Sequence, residues 1–201
     1  MNEEKKLRLT VASSPHVASP IDTTNLMRDV LIALVPAMVM GVVFFGPRAL
    51  VATIISVLAC EFFEWGYRKL MKKPQSVGDL SAVVTGMLLA FVSPVTTPHW
   101  MILVGDFFAI VVVKQLFGGI GKNFVNPALA GRAFLLGSYA GVMTTWAAAG
   151  TKVPVVGSTV DVVTAATPLA YMKTGDMEGL RAAYKISDMF IGYIGGSLGE
   201  I

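Results

Sequence analysis

The chain has 201 residues, of which 54% are hydrophobic and only 14% charged, with a net charge of +3 and a mean hydropathy of +0.67. Soluble domains carry about 25% charged residues, so a deficit spread along the whole length points to a polytopic membrane protein in contact with lipid. The small net charge, with no basic stripe interleaved with aromatics, argues against nucleic acid as a partner, and a single cysteine excludes a disulfide framework.

Residues 1–29 are polar and lack the early apolar core of a secretory signal, so they read as a cytoplasmic N-terminal segment. Apolar stretches then cover 30–46, 49–65, 80–94, 100–117 and 128–149, separated by turn or charge signals such as Gly46-Pro47, Gly78-Asp79 and Gly118-Gly119. They predict an all-α, polytopic helical membrane protein with five transmembrane helices across 30–149. A further apolar stretch begins at 189 and is too short to span before residue 201, so 189–201 reads as the start of a sixth transmembrane helix in a C-terminally truncated fragment.

Basic residues set the orientation. Lys5, Lys6, Arg8 and Arg28 lie in the N-terminal segment, Arg68, Lys69, Lys72 and Lys73 follow the second stretch, and Lys114, Lys122 and Arg132 surround the fourth-to-fifth connection. The opposite connections hold only Arg48. The N-terminus is therefore expected in the cytoplasm, and residues 150–188 form one long extracytoplasmic loop whose charges are mixed in sign.

Several polar residues stand out against this background. Lys122 after glycines suggests a phosphate loop, but Leu116 and Asn123 occupy positions where that motif needs glycine and a hydroxyl. Asn126-Pro127 is a helix start, and Asp79 reads as a cap. Lys122 and Arg132 are either topogenic charges snorkelling to the cytoplasmic face or part of a polar break supporting a buried cofactor or ion path. Glu61 and Glu64 share a helical face near Arg68, which favours an interfacial ion-pair network. Asp106 lies inside the fourth stretch with no basic residue close in sequence, and reads either as an ion-pathway residue or as the partner of another helix. Cys60 reads as a small buried apolar residue, and His16 and His99 have no metal-ligand spacing.

The loop segment D-V-V-T-A-A-T-P at 161–168 holds two hydroxyls, Thr164 and Thr167. Pro168 drives Thr167 toward an extended conformation. A threonine hydroxyl is a poor nucleophile, so any covalent attachment there needs a separate transferase and an accessible peptide. On composition alone the segment is an ordinary polar loop.

The pieces S-S-P-H-V (13–17), M-R-D-V-L-I-A-L-V-P-A (27–37), G-G-I-G-K-N-F-V-N-P-A-L-A-G-R (118–132), D-V-V-T-A-A-T-P-L (161–169) and G-G-S-L-G-E (195–200) resemble one family. It comprises the membrane RnfD proteins of Rnf complexes and the homologous NqrB proteins of Na⁺-translocating NADH:quinone oxidoreductases. The resemblance implies a membrane subunit of an ion-translocating ferredoxin:NAD⁺ oxidoreductase in a bacterial inner membrane. It implies FMN joined by a phosphoester to Thr167, with Asp161, Thr164 and Ala166 as the other motif positions. Ala165 stands where the family has glycine. A flavin transferase and the other subunits of the complex are the implied partners, and a second, non-covalent flavin is compatible with the family. The competing expectations are a secondary transporter, which would show an inverted repeat, and a non-redox structural membrane subunit.

Overall fold

A computed structural model describes residues 22–148, 150–155 and 167–199. The described residues are helical, without extended strands. Helix α1 (Thr23–Phe45) begins where the Asp22 carboxylate accepts the Thr23 N–H. It ends at Gly46, whose φ of 81° lies in the left-handed region and whose N–H closes on Val42 O at 2.9 Å. Pro47 then opens α2 (Pro47–Leu70) at its first helical position, where a missing N–H costs nothing. The Gly46-Pro47 signal thus becomes a tight reversal between two helices.

Those two helices alone are long and apolar enough to cross a membrane among the described residues. At 1.5 Å per residue α2 extends about 36 Å, against a hydrocarbon core of about 30 Å. Leu26, Ile32, Val39 and Val43 of α1 remain exposed. Such an apolar surface suits lipid or further helices.

A 3₁₀ turn (Val77–Asp79) leads into α3 (Ser81–Phe91); the N-cap position is Leu80, not the expected Asp79, which lies one residue earlier and accepts the Ser81 N–H through Oδ1 at 2.9 Å. Helix α3 is the buried centre, apolar along most of its length and packed chiefly on α2. The approach is closest at Gly86, where an added Cβ would meet Ser56 O and Val57 Cα at 2.8 Å. Gly86 therefore allows backbone-to-backbone packing of α2 on α3.

Helix α4 (His99–Phe107) continues without a break into a π-helical segment, Phe108–Gln115. Asn126 caps α5 (Pro127–Ser138), its side-chain oxygen accepting the Ala128 N–H at 2.9 Å. A Cβ on Gly131 of α5 would lie 3.0 Å from Gly105 O, so α5 packs against the C-terminal part of α4. The stretch 128–149, expected as one span, is not a single helix. Helix α5 extends only about 18 Å, Tyr139 breaks it with φ −134° and ψ 45°, and α6 (Ala140–Met143) is a short separate turn.

Residues beyond the described part of the loop form α7 (Pro168–Thr174), α8 (Met177–Ala183) and α9 (Ile186–Ile191). The expected sixth transmembrane helix from 189 does not form across the described residues. Gly192, at φ 87°, ends α9, and the glycine-bearing segment after it runs back onto the bundle. There the Gly199 N–H donates to Phe91 O at 2.9 Å and Leu198 joins Phe45, Met87, Phe91, Val95 and Val153 in the main core.

The bundle has two chemically distinct ends. One carries Arg68, Lys69, Lys72 and Lys73, with Lys69 Nζ 4.6 Å above the Trp65 ring. The other holds the end of α3, the 92–98 connection and the start of α2. At this second end Arg48 is buried, donating to Val95 O at 2.9 Å, Pro154 O at 2.7 Å and Thr97 O at 3.2 Å. Its charge serves to tie three carbonyls together.

Candidate functional site

Thr167 sits at the N-terminal boundary of α7 with φ −68° and ψ 155°, the extended geometry that a following proline favours. Its Oγ accepts the Ala170 N–H at 3.3 Å. Thr167 and Pro168 line a cleft of about 390 Å³ together with Arg132, Trp146, Leu169, Met189, Ile194 and Gly195. Asp161, Thr164 and Ala166 lie outside the described residues.

Arg132 is one of two residues, with Lys122, whose place sequence reasoning leaves open. Arg132 Nη1 donates to Val92 O at 2.6 Å, at the end of α3 away from the basic run. For Arg132 a snorkelling charge on the basic end is therefore excluded. The cause is α5 itself, which starts beside Phe108 and carries Arg132 toward the opposite end. The cleft brings together a guanidinium, a tryptophan ring and a threonine residue. Arginine suits phosphate through its planar set of donors, and a flat ring system can pack on Trp146.

A second set of polar groups lies inside the bundle. Asp106 is fully buried. Its Oδ1 lies 2.6 Å from Ser56 Oγ and 3.3 Å from Cys60 Sγ, while Ser56 Oγ lies 2.8 Å from Gly86 O. Asp106 Oδ2 has no hydrogen-bond partner among the described residues. The expectation of a partner on another helix is met by neutral donors on α2, not by a cation.

Toward the basic end, Lys114 Nζ lies 2.5 Å from Glu64 Oε2 and donates to Ser81 Oγ at 2.6 Å. Arg68 Nε is 3.7 Å from Glu64 Oε1, and Ser76 also bonds that carboxylate. Of the ion-pair network expected around Glu61 and Glu64, the Glu64 part exists, with Lys114 as its closest member and the pair buried rather than interfacial, while Glu61 Oε1 is buried without a hydrogen-bond partner among the described residues. A lysine inside an apolar run was the available signal; its partner, fifty residues earlier, was not visible in local spacing.

A third feature is an apolar cavity of about 600 Å³ beside Phe108, Asn126, Leu129 and Phe134. The Phe108 and Phe134 rings stack with centroids 4.3 Å apart.

Comparison with known proteins places the chain in a family. The NQR2, RnfD, RnfE family matches residues 10–201. The chain is 46% identical over its whole length to the RnfD-type subunit of the Na⁺-translocating ferredoxin:NAD⁺ oxidoreductase complex of Acetobacterium woodii, covering 59% of that protein. It is 39% identical, over 98% of its length and 59% of the relative's, to the corresponding subunit of the proton-translocating ferredoxin:NAD⁺ oxidoreductase complex of Clostridium ljungdahlii. It is 35% identical, over 94% of its length and 60% of the relative's, to the corresponding subunit of the ion-translocating oxidoreductase complex of Shewanella amazonensis. The chain spans about three-fifths of the length of these curated relatives. With a match over nearly every residue, the chain belongs to the NQR2, RnfD, RnfE family.

Proposed function

We propose that this chain is the flavin-bearing portion of a membrane subunit in an ion-translocating ferredoxin:NAD⁺ oxidoreductase complex. The observation that carries this reading is the cleft shared by Thr167 and Arg132. The three relatives are named as subunits of ion-translocating oxidoreductase complexes, two of them acting between ferredoxin and NAD⁺, which supports the same role here.

In this reading Thr167 Oγ is joined to the phosphate of FMN by a flavin transferase. A flavin, when bound, supplies reversible electron transfer. The chain's own contribution is positional. Pro168 holds Thr167 extended, Arg132 offers a guanidinium toward phosphate charge, and Trp146 with Leu169 and Ile194 lines an apolar wall that limits water. Asp161, Thr164 and Ala166 would serve as the transferase's recognition positions.

The basic end, with Lys69 over Trp65, suits the cytoplasmic interface of a bacterial inner membrane. Arg132 and the Thr167 cleft lie toward the other end, which supports an extracytoplasmic flavin loop and a cytoplasmic N-terminus. Ions would cross through the bundle, with Asp106 on their path. Other subunits of the complex and lipid would cover the exposed face of α1.

A secondary transporter is the second reading, favoured by the capped half-length helix α5 that starts beside Phe108, where α4 gives way to the π segment. In-gel flavin fluorescence of the full-length protein, produced with its transferase, separates the two. A fluorescent band that Thr167→Val removes supports the redox reading; a non-fluorescent, folded wild-type protein contradicts it.

A further inference from the structure

We propose that the ion bound at Asp106 is a proton, carried on the side chain as a neutral carboxylic acid. This deepens the ion-translocation reading and rests on it for the role of the residue. Three short contacts converge there: Asp106 Oδ1 to Ser56 Oγ at 2.6 Å, Ser56 Oγ to Gly86 O at 2.8 Å, and Cys60 Sγ to Asp106 Oδ1 at 3.3 Å.

The hydrogens can be counted. A serine hydroxyl carries one, a thiol one, and a carbonyl or an ionised carboxylate none. With Asp106 ionised, the Ser56 hydrogen can serve either Asp106 or Gly86. The other short O···O contact then sets lone pairs against each other. One added hydrogen on Oδ1 resolves this. Cys60 S–H donates to Oδ1, Oδ1–H donates to Ser56 Oγ, and the Ser56 O–H donates to Gly86 O.

The second oxygen gives independent support. Oδ2 is buried and has no hydrogen-bond partner among the described residues. As the bare end of a carboxylate it would leave a charge unsolvated, whereas as a neutral C=O it leaves only an unpaired dipole, which costs far less. Several charged groups on the packed elements are engaged elsewhere, while Glu61, next to Cys60 in sequence, has a buried Oε1 without a hydrogen-bond partner among the described residues. On α2 the charged and titratable groups are Arg48, Cys60, Glu61, Glu64, Tyr67, Arg68 and Lys69. Among them Cys60 is the one hydrogen-bonded to Asp106, while Arg48 binds carbonyls at the far end. On α4 itself His99 lies at the opposite terminus, its Nε2 3.3 Å from Val155 O. The π segment contributes Lys114, bound to Glu64 and Ser81, and α5 contributes Arg132, bound to Val92 O. Helix α3 carries none.

Sodium fits these atoms poorly. Oxygens in direct hydrogen-bond contact leave no space for a cation between them, and a thiol is a soft ligand where an alkali ion takes hard oxygens. The π segment, which starts two residues after Asp106, adjoins the site. Such segments are rare and frequently mark functional positions.

Infrared difference spectroscopy on the purified complex tests the proposal. Wild type minus Asp106→Asn, recorded at neutral pH without reduction of any flavin, should show a protonated-carboxyl C=O band that shifts in D₂O. The band should move in Ser56→Ala and in Cys60→Ala, and stay unchanged when KCl is replaced by NaCl. If Asp106→Asn does not assemble, these two variants still report on the band. A folded wild-type complex without the band, or one in which Na⁺ abolishes it at constant pH, overturns the proposal. Neither result bears on Thr167 fluorescence, so the flavin reading fails or stands separately.

Discussion

Lys114 Nζ lies 2.5 Å from Glu64 Oε2, and both side chains are closed off from solvent. Each charge loses its hydration on burial, and only the other, with Ser81, Ser76 and Arg68, compensates. Removing one member of a buried pair costs about 3–5 kcal/mol, while replacing both with apolar residues of similar size is often neutral. Lys114→Met should therefore lower the thermal unfolding midpoint of the detergent-solubilised protein sharply. Adding Glu64→Leu to Lys114→Met should recover much of the loss. Equal loss in the double variant would assign the pair a role other than mutual neutralisation.

Gly86 is the contact on which α2 and α3 approach most closely. Its absent side chain matters because the atoms opposite, Ser56 O and Val57 Cα at 2.8 Å from an added Cβ, are backbone and cannot rotate aside. Gly86→Ala should destabilise by about 1–3 kcal/mol through overpacking. Gly66 on the same helix as Ser56 has open space and serves as the control. Gly66→Ala should be neutral, or gain up to about 1 kcal/mol from helix propensity. Thermal unfolding of both variants in one detergent checks the contrast.

Arg132 donates to Val92 O and lines the same cleft as Thr167. Arg132→Leu should slow flavin attachment by about 10- to 150-fold, as expected for loss of a charged hydrogen bond worth ~1.5–3 kcal/mol. Arg132→Lys should lie between, because an ammonium keeps the charge but not the planar donor set. A time course of covalent flavin fluorescence provides the rates. Wild-type rates in Arg132→Leu would remove this residue from the site.

How much of this was legible in the sequence depends on the range of each interaction. Gly46-Pro47, Asp79 and Asn126-Pro127 act within a few residues, and their local chemistry predicts a reversal and two helix starts that the structure contains. Thr167 is extended for an equally local reason, the proline after it. Arg132 was ambiguous because its side depends on where α5 begins relative to α4, which hydropathy does not encode. The breadth of the stretch 128–149 hid the break at Tyr139 for the same reason, since apolar residues continue on both sides of it. Asp106 was recognisable as an ionisable group in an apolar run. Its partners Ser56 and Cys60 were not, because helix packing brings them together from fifty and forty-six positions away.

Whether Thr167 carries the flavin is measured most directly by mass analysis of the proteolytic peptide that contains residues 161–168. The full-length protein produced with its flavin transferase should yield that peptide with the added mass of a phosphoester-linked FMN, fragmenting to place it on Thr167. Thr167→Val should abolish the added mass and the in-gel fluorescence, while Thr164→Val should retain both. An FMN adduct that persists in Thr167→Val, or one that maps to Thr164, would contradict the account.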